Sequence, residues 1–147
     1  MGKMIFGLEQ VLTYRQEMET VRRMEFGSAQ QEFDGACERL NNEEKRVDRL
    51  NVELLARQSA GITAMELQIY ADFFRRKTVD IKLQRKETAT LNERMTEKRE
   101  ILVEAARDKK VMESLKEKKV QAHNRELQYK ERVFLEEIAL RKKGHGK

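Results

Sequence analysis

The chain has 147 residues, of which 39% are charged, with seven Gly, no Pro, no Trp, one Cys and a formal net charge of +5. No apolar run approaches the ~20 residues that a membrane-spanning helix needs, and one Cys excludes an intramolecular disulfide framework and any multi-Cys metal site. A chain rich in Glu, Lys, Arg, Leu and Met, with so few turn residues, specifies long helices rather than a layered enzyme fold.

The N-terminus, Met1-Gly2-Lys3-Met4-Ile5-Phe6, lacks the apolar core of a secretory signal. Position 6 is Phe, not Ser or Thr, so the myristoylation pattern also fails. The expectation from these features is a soluble cytosolic protein.

A first helix is predicted over about 5–58. Its heptad positions are Ile5, Leu8, Leu12, Arg15, Glu19, Arg22, Phe26, Ala29, Phe33, Ala36, Leu40, Glu43, Val47, Leu50 and Leu54, spaced alternately by three and four as in a coiled-coil seam. Between Arg15 and Arg22 the seam is polar. Tyr14, Met18 and Val21 supply a neighbouring stripe there, which predicts a local register shift. Gly27 and Gly35 each cost the helix about 1 kcal/mol relative to Ala, so this helix is expected to be the softer one. Cys37, beside Ala36, is expected to be a small packing residue.

The turn is predicted over about 59–63. Gly61 suits the left-handed residue that ends a helix, and Thr63-Ala64-Met65-Glu66 fits a capping box, with Ile62 and Leu67 spaced for a hydrophobic staple. A second helix follows over about 64–143. Its seam runs through Leu67, Tyr70, Phe74, Lys77, Ile81, Gln84, Thr88, Leu91, Met95, Lys98, Leu102, Ala105, Lys109 and Met112, then in a new phase through Val120, Asn124, Leu127, Glu131, Phe134 and Ile138. Polar seam residues weaken such a coil but help to fix its register and partner.

The fold class that follows is all-α: one antiparallel coiled coil of two long helices spanning 1–147, the second longer than the first. Folding about Gly61 brings Leu8 opposite a residue near Ser114. Everything after about Leu115 is then expected to lack an intrachain partner, although it carries the Val120-Leu127-Phe134-Ile138 stripe. An apolar stripe without an internal partner is suited to another molecule. A frayed tail, a bent-back helix and a homodimer are the open alternatives.

Charge is uneven along the chain. Residues 1–58 hold nine Lys/Arg and eleven Asp/Glu, whereas 59–147 hold 22 and 15. Arg141, Lys142, Lys143 and Lys147 make a cationic end, which suits either a helix C-terminus or an acidic partner. Nucleic-acid binding is disfavoured, because basic residues are mixed with acidic ones and the aromatics sit on seams.

No chemistry-bearing constellation is present in the sequence. There is no phosphate-binding loop, and His123 and His145 have no nearby His or Cys at metal-ligand spacing. His123 is expected to be exposed or partner-facing. Glu43-Glu44 and Glu136-Glu137 look like solvated helix faces. A two-helix coil also offers no deep pocket to desolvate a catalytic group, so no enzyme, cofactor or metal is expected.

Phe6-Gly7-Leu8-Glu9-Gln10-Val11-Leu12-Thr13-Tyr14-Arg15, Gly61-Ile62 followed by Tyr70 and Phe73, Leu115-Lys116-Glu117-Lys118, and Glu136-Glu137-Ile138-Ala139-Leu140-Arg141 together carry a resemblance. In order and spacing the chain resembles the FliJ proteins of the bacterial flagellar export apparatus, over almost its whole length. The resemblance implies an antiparallel coiled coil similar to the central stalk of rotary ATPases. It further implies association with the hexameric flagellar export ATPase, contact with the membrane export gate, and handling of export chaperones.

On this resemblance the chain is expected in the cytoplasm, peripheral to the inner membrane at the flagellar base, with no membrane span and no nucleic acid. Candidate ATPase contacts are Leu8, Leu12, Val120, Leu127, Phe134, Ile138, Arg141, Lys142 and Lys143. Candidate gate contacts are Tyr70 and Phe73. Lys77 and Gln84 depart from the more apolar second-helix seam common in the family. A generic coiled-coil scaffold or homodimer, and the equivalent stalk of a virulence-type secretion system, are open alternatives at this point.

Overall fold

The computed structural model describes residues 3–145. Met1, Gly2, Gly146 and Lys147, the last of them part of the expected cationic end, lie outside the described residues, as does the His145 side chain. The fold class is all-α. Helix α1 spans Glu9–Ala60 and helix α2 spans Ala64–His145, so the second is the longer. No helix is long and apolar enough to cross a membrane among the described residues. Packing divides the chain into two compact units, one formed by Met1–Thr20 with Val103–Lys147 and one by Val21–Leu102.

The unit of Val21–Leu102 contains the chain reversal. Gly61 has φ +101°, a left-handed conformation that an L side chain adopts only with strain. Thr63 then caps α2: its hydroxyl accepts from the Glu66 amide at 3.2 Å, and its carbonyl accepts from Leu67 N at 3.0 Å. The expected cap is therefore present on its Thr63 side.

Antiparallel pairing follows from the cross-helix contacts. Within this unit Glu53 meets Tyr70 (3.2 Å), Glu43 meets Lys77 (2.9 Å), Glu44 meets Arg85 (3.0 Å) and Glu32 meets Arg94 (3.6 Å). Ala29 and Ala36 are buried at 4% each, and Met95 at 8%. Small Ala residues one heptad apart let the backbones approach while a Met fills the gap opposite. No described side chain is less than 2% exposed, as a seam between only two helices requires. Gln84 Oε1 and Thr88 Oγ1 are buried in this seam without a hydrogen-bond partner. That leaves a polar layer in the interior, which costs stability.

In the unit of Met1–Thr20 with Val103–Lys147 the seam is closed by Leu12 (3% exposed) and Met112 (8%). After Leu12 along α1 and before Met112 along α2 it is polar: Arg15 bonds Asp108 at 3.2 Å, and Lys109 lies 3.7 Å from Glu19, itself only 5% exposed. The expected register shift does not occur. Arg15 and Glu19 keep their seam positions, and Tyr14 stays 52% exposed. Their long side chains meet opposite charge across the seam, so the backbone has no reason to rotate. The Val21 side of the same stripe, in the other unit, is likewise 44% exposed while Arg22 is half-buried.

The start of α1 also differs from the expectation. The chain before Glu9 is not helical, and Ile5 is 81% exposed rather than part of the seam. Gly7, a poor helix former, sits in a turn that Glu9 N closes on Phe6 O at 3.1 Å. Non-helical backbone covers more distance per residue than helix. Accordingly Lys3, Met4 and Ile5 reach along α2 as far as Ala122, His123 and Glu126.

Candidate partner-binding surfaces

Coverage of α2 by the N-terminal segment sets where the free arm begins. Lys116 pairs with Glu9 at 2.9 Å, Lys119 lies 5.9 Å from the Phe6 ring, and Val120 shares a groove with Leu12. The arm without an intrachain partner therefore starts past Glu126, not at Leu115. Its length is about 28 Å at 1.5 Å per residue. The phase also differs in detail: Val120 and His123 are half-buried while Asn124 is exposed. His123 thus shares a groove with Met4 and Ile5 and is half-buried rather than in the open.

Beyond that point the apolar stripe is open. Leu127 is 36% exposed and Phe134 61%, with Ile138 half-buried. Arg141, Lys142 and Lys143 are exposed in the last turns of α2. They pair with no carboxylate among the described residues, and cations there complement the helix dipole. Leu8 is 45% exposed, whereas Leu12 and Val120 belong to the intrachain packing. Leu12 consequently presents no free surface.

The second surface lies near the turn, in the unit of Val21–Leu102. A groove of about 400 Å³ is lined by Arg46, Arg49, Leu50, Glu53, Ile69, Tyr70 and Phe73. Tyr70 donates its hydroxyl to Glu53 Oε1 at 3.2 Å, with Arg57 5.9 Å from its ring. Burial pushes its phenol above the ordinary value and Glu53 adds to this, while Arg57 opposes it.

Phe73 packs edge-on against Phe74 (6.1 Å) and beneath Lys77 (5.6 Å), and remains half-buried. Lys77 in turn hydrogen-bonds Glu43 and holds its carboxyl below the usual value. Tyr70 and Phe73 are thus brought together on one groove. Ile69, 63% exposed at its rim, was not singled out from the sequence, because it falls outside the heptad. Its spacing of four from Phe73 is the signal that places the two on one face.

Both surfaces carry apolar and charged groups suited to binding. No group of three or more His, Cys, Asp or Glu able to hold a metal occurs among the described residues. Among curated proteins no match was found. No solved structure matches either. The family described as flagellar FliJ protein matches residues 4–146. With nearly the whole chain covered, and two long antiparallel helices of the expected unequal length, the chain belongs to the FliJ family of flagellar export components.

Proposed function

We propose that the chain is a non-enzymatic stalk that binds the hexameric flagellar export ATPase through its terminal arm and contacts the membrane export gate and export chaperones elsewhere. The observation that carries this reading is the open apolar stripe of Leu127, Phe134 and Ile138 beyond the last intrachain contact. Burying such a stripe in a ring contributes roughly 1.5–3 kcal/mol per large side chain. Arg141, Lys142 and Lys143 then meet acidic groups on the ring, and Leu8 lies at the margin of the contact. Tyr70 and Phe73, on the groove near the turn, are the gate contact. The protein works at the cytoplasmic side of the inner membrane, at the flagellar base.

The test is to mix the chain with its cognate export ATPase and follow hexamer formation and ATP turnover. A chain ending at Glu126 keeps every intrachain contact described above yet loses the arm. It is expected to lose stimulation, while a fully active shortened chain refutes the role of the arm. A stable dimer of the full chain that buries Phe134 would instead favour a coiled-coil scaffold.

A further inference from the structure

In the unit that includes Val103–Lys147, α2 carries a second apolar line on the side away from its seam. At about 100° per residue, Met112, Lys116 and Val120 share the seam side, whereas Val103, Val111 and Tyr129 fall on the outer side and Leu115 on the flank between. These four are 43%, 59%, 59% and 43% exposed. No other element covers them among the described residues, and around Val111 and Leu115 they shape a shallow groove of about 500 Å³ with Arg107, Lys110, Ser114 and Lys118.

The unpaired charge on this face is mainly positive. Arg107, Lys118 and Arg125 are separated by 11 and 7 residues, each close to a whole number of turns, so they run along its centre line. Lys110 flanks them. All four are exposed, and none has an ion-pair partner among the described residues. Of the carboxylates on or beside this face, Asp108 is paired with Arg15 and Glu126 with Lys130, which leaves Glu104 at its N-terminal end. Along the seam of this unit, by contrast, cations find carboxylates, as in Lys116–Glu9, Arg15–Asp108 and Lys109–Glu19. A run of unmatched cations interleaved with exposed aliphatic groups is the complement of acidic and apolar side chains at the same spacing.

We propose that this outer face of α2, from Val103 to Tyr129, is a docking surface for an acidic amphipathic helix of a partner protein. Such a helix sets its apolar residues against Val111 and Leu115 and its carboxylates against Arg107, Lys118 and Arg125. A lipid surface fits less well. Interfacial helices keep cations at the edges of a broad apolar face, whereas here the cations occupy the middle. The surface is separate from the Leu127-Phe134-Ile138 stripe and does not depend on the stalk reading.

The experiment uses the full chain and a fluorescent synthetic peptide of Glu, Leu and Ala, helical, with Glu and Leu on one face. A control peptide of identical composition carries them on opposite faces. Vesicles containing phosphatidylglycerol are the third probe. Same-face peptide should bind saturably, and R107E/K110E/K118E/R125E should weaken it about tenfold or more. The charge-neutral change V111S/L115S should weaken it as well. All substituted residues are exposed, so circular dichroism should be unchanged. Equal binding of the opposite-face peptide, indifference to V111S/L115S, absence of saturable binding, or vesicle binding without peptide binding each overturns the proposal.

Discussion

The two units solve the same packing problem with different endings. In Val21–Leu102 both helices run the length of the unit, joined by Gly61 and the Thr63 cap, and they pair from Glu53–Tyr70 to Glu32–Arg94. In the unit of Met1–Thr20 with Val103–Lys147 one strand of the pair stops early. A non-helical N-terminal segment covers α2 only as far as Glu126. Identical residue types then have different consequences: a large apolar residue stabilises the chain itself in the paired region, and on the arm it contributes only when something else covers it.

The largest test of this contrast is a pair of substitutions in the same unit. Leu12→Ala, at a position 3% exposed, is expected to cost about 2–3 kcal/mol in chemical denaturation. Phe134→Ala, at 61% exposed, should leave the isolated chain within about 0.5 kcal/mol and weaken partner binding instead. Comparable losses from both would show that the arm is covered intrachain.

At the closed end, Gly61→Ala places a side chain at φ +101° and should cost about 1–2 kcal/mol through backbone strain. No atom lies within 4 Å of the added Cβ, so a loss there isolates the conformational cost from any clash. Inside the paired region the sign reverses. Thr88→Val removes a buried hydroxyl that has no hydrogen-bond partner and should raise stability by about 1 kcal/mol, read as a shift in denaturation midpoint at unchanged slope. An unchanged or lowered midpoint would mean that this hydroxyl is satisfied in solution.

The smallest expected effect is pH-dependent. Lys77 holds the Glu43 carboxyl below its ordinary value of 4.5, so the folded state binds that proton less readily than the unfolded chain. The contribution is fully present above 4.5 and fades as pH falls through the lowered folded value. Glu43→Gln should therefore reduce the melting temperature at neutral pH, with the gap to the native chain narrowing in acid. A gap independent of pH would assign the effect to packing.

Much of this was readable from the chain. Leu, Phe and Ala at alternating spacings of three and four set both seams, and Gly61 with Thr63 and Glu66 marked the reversal, because these signals are local. What escaped depended on partners distant in sequence. Arg15 and Glu19 looked like a break in the heptad because Asp108 and Lys109, which accept them in the seam, lie some 90 residues away. The reach of Lys3–Ile5 to His123 depended on Gly7 ending the helix, and a heptad count passes over a single poor helix former. Ile69 was missed since a seam pattern records what two helices hide and is silent on what they leave at a groove's rim. The open arm itself was legible as a length mismatch, though it begins later than that mismatch alone suggested.

Amide hydrogen exchange across residues 127–140 measures the central claim most directly, on the isolated chain and again with the cognate hexameric export ATPase. Exchange in this segment should be fast alone, far faster than at Met95, and slow once the hexamer is added. Slow exchange in the isolated monomer, or unchanged fast exchange in the presence of the ring, would contradict the account.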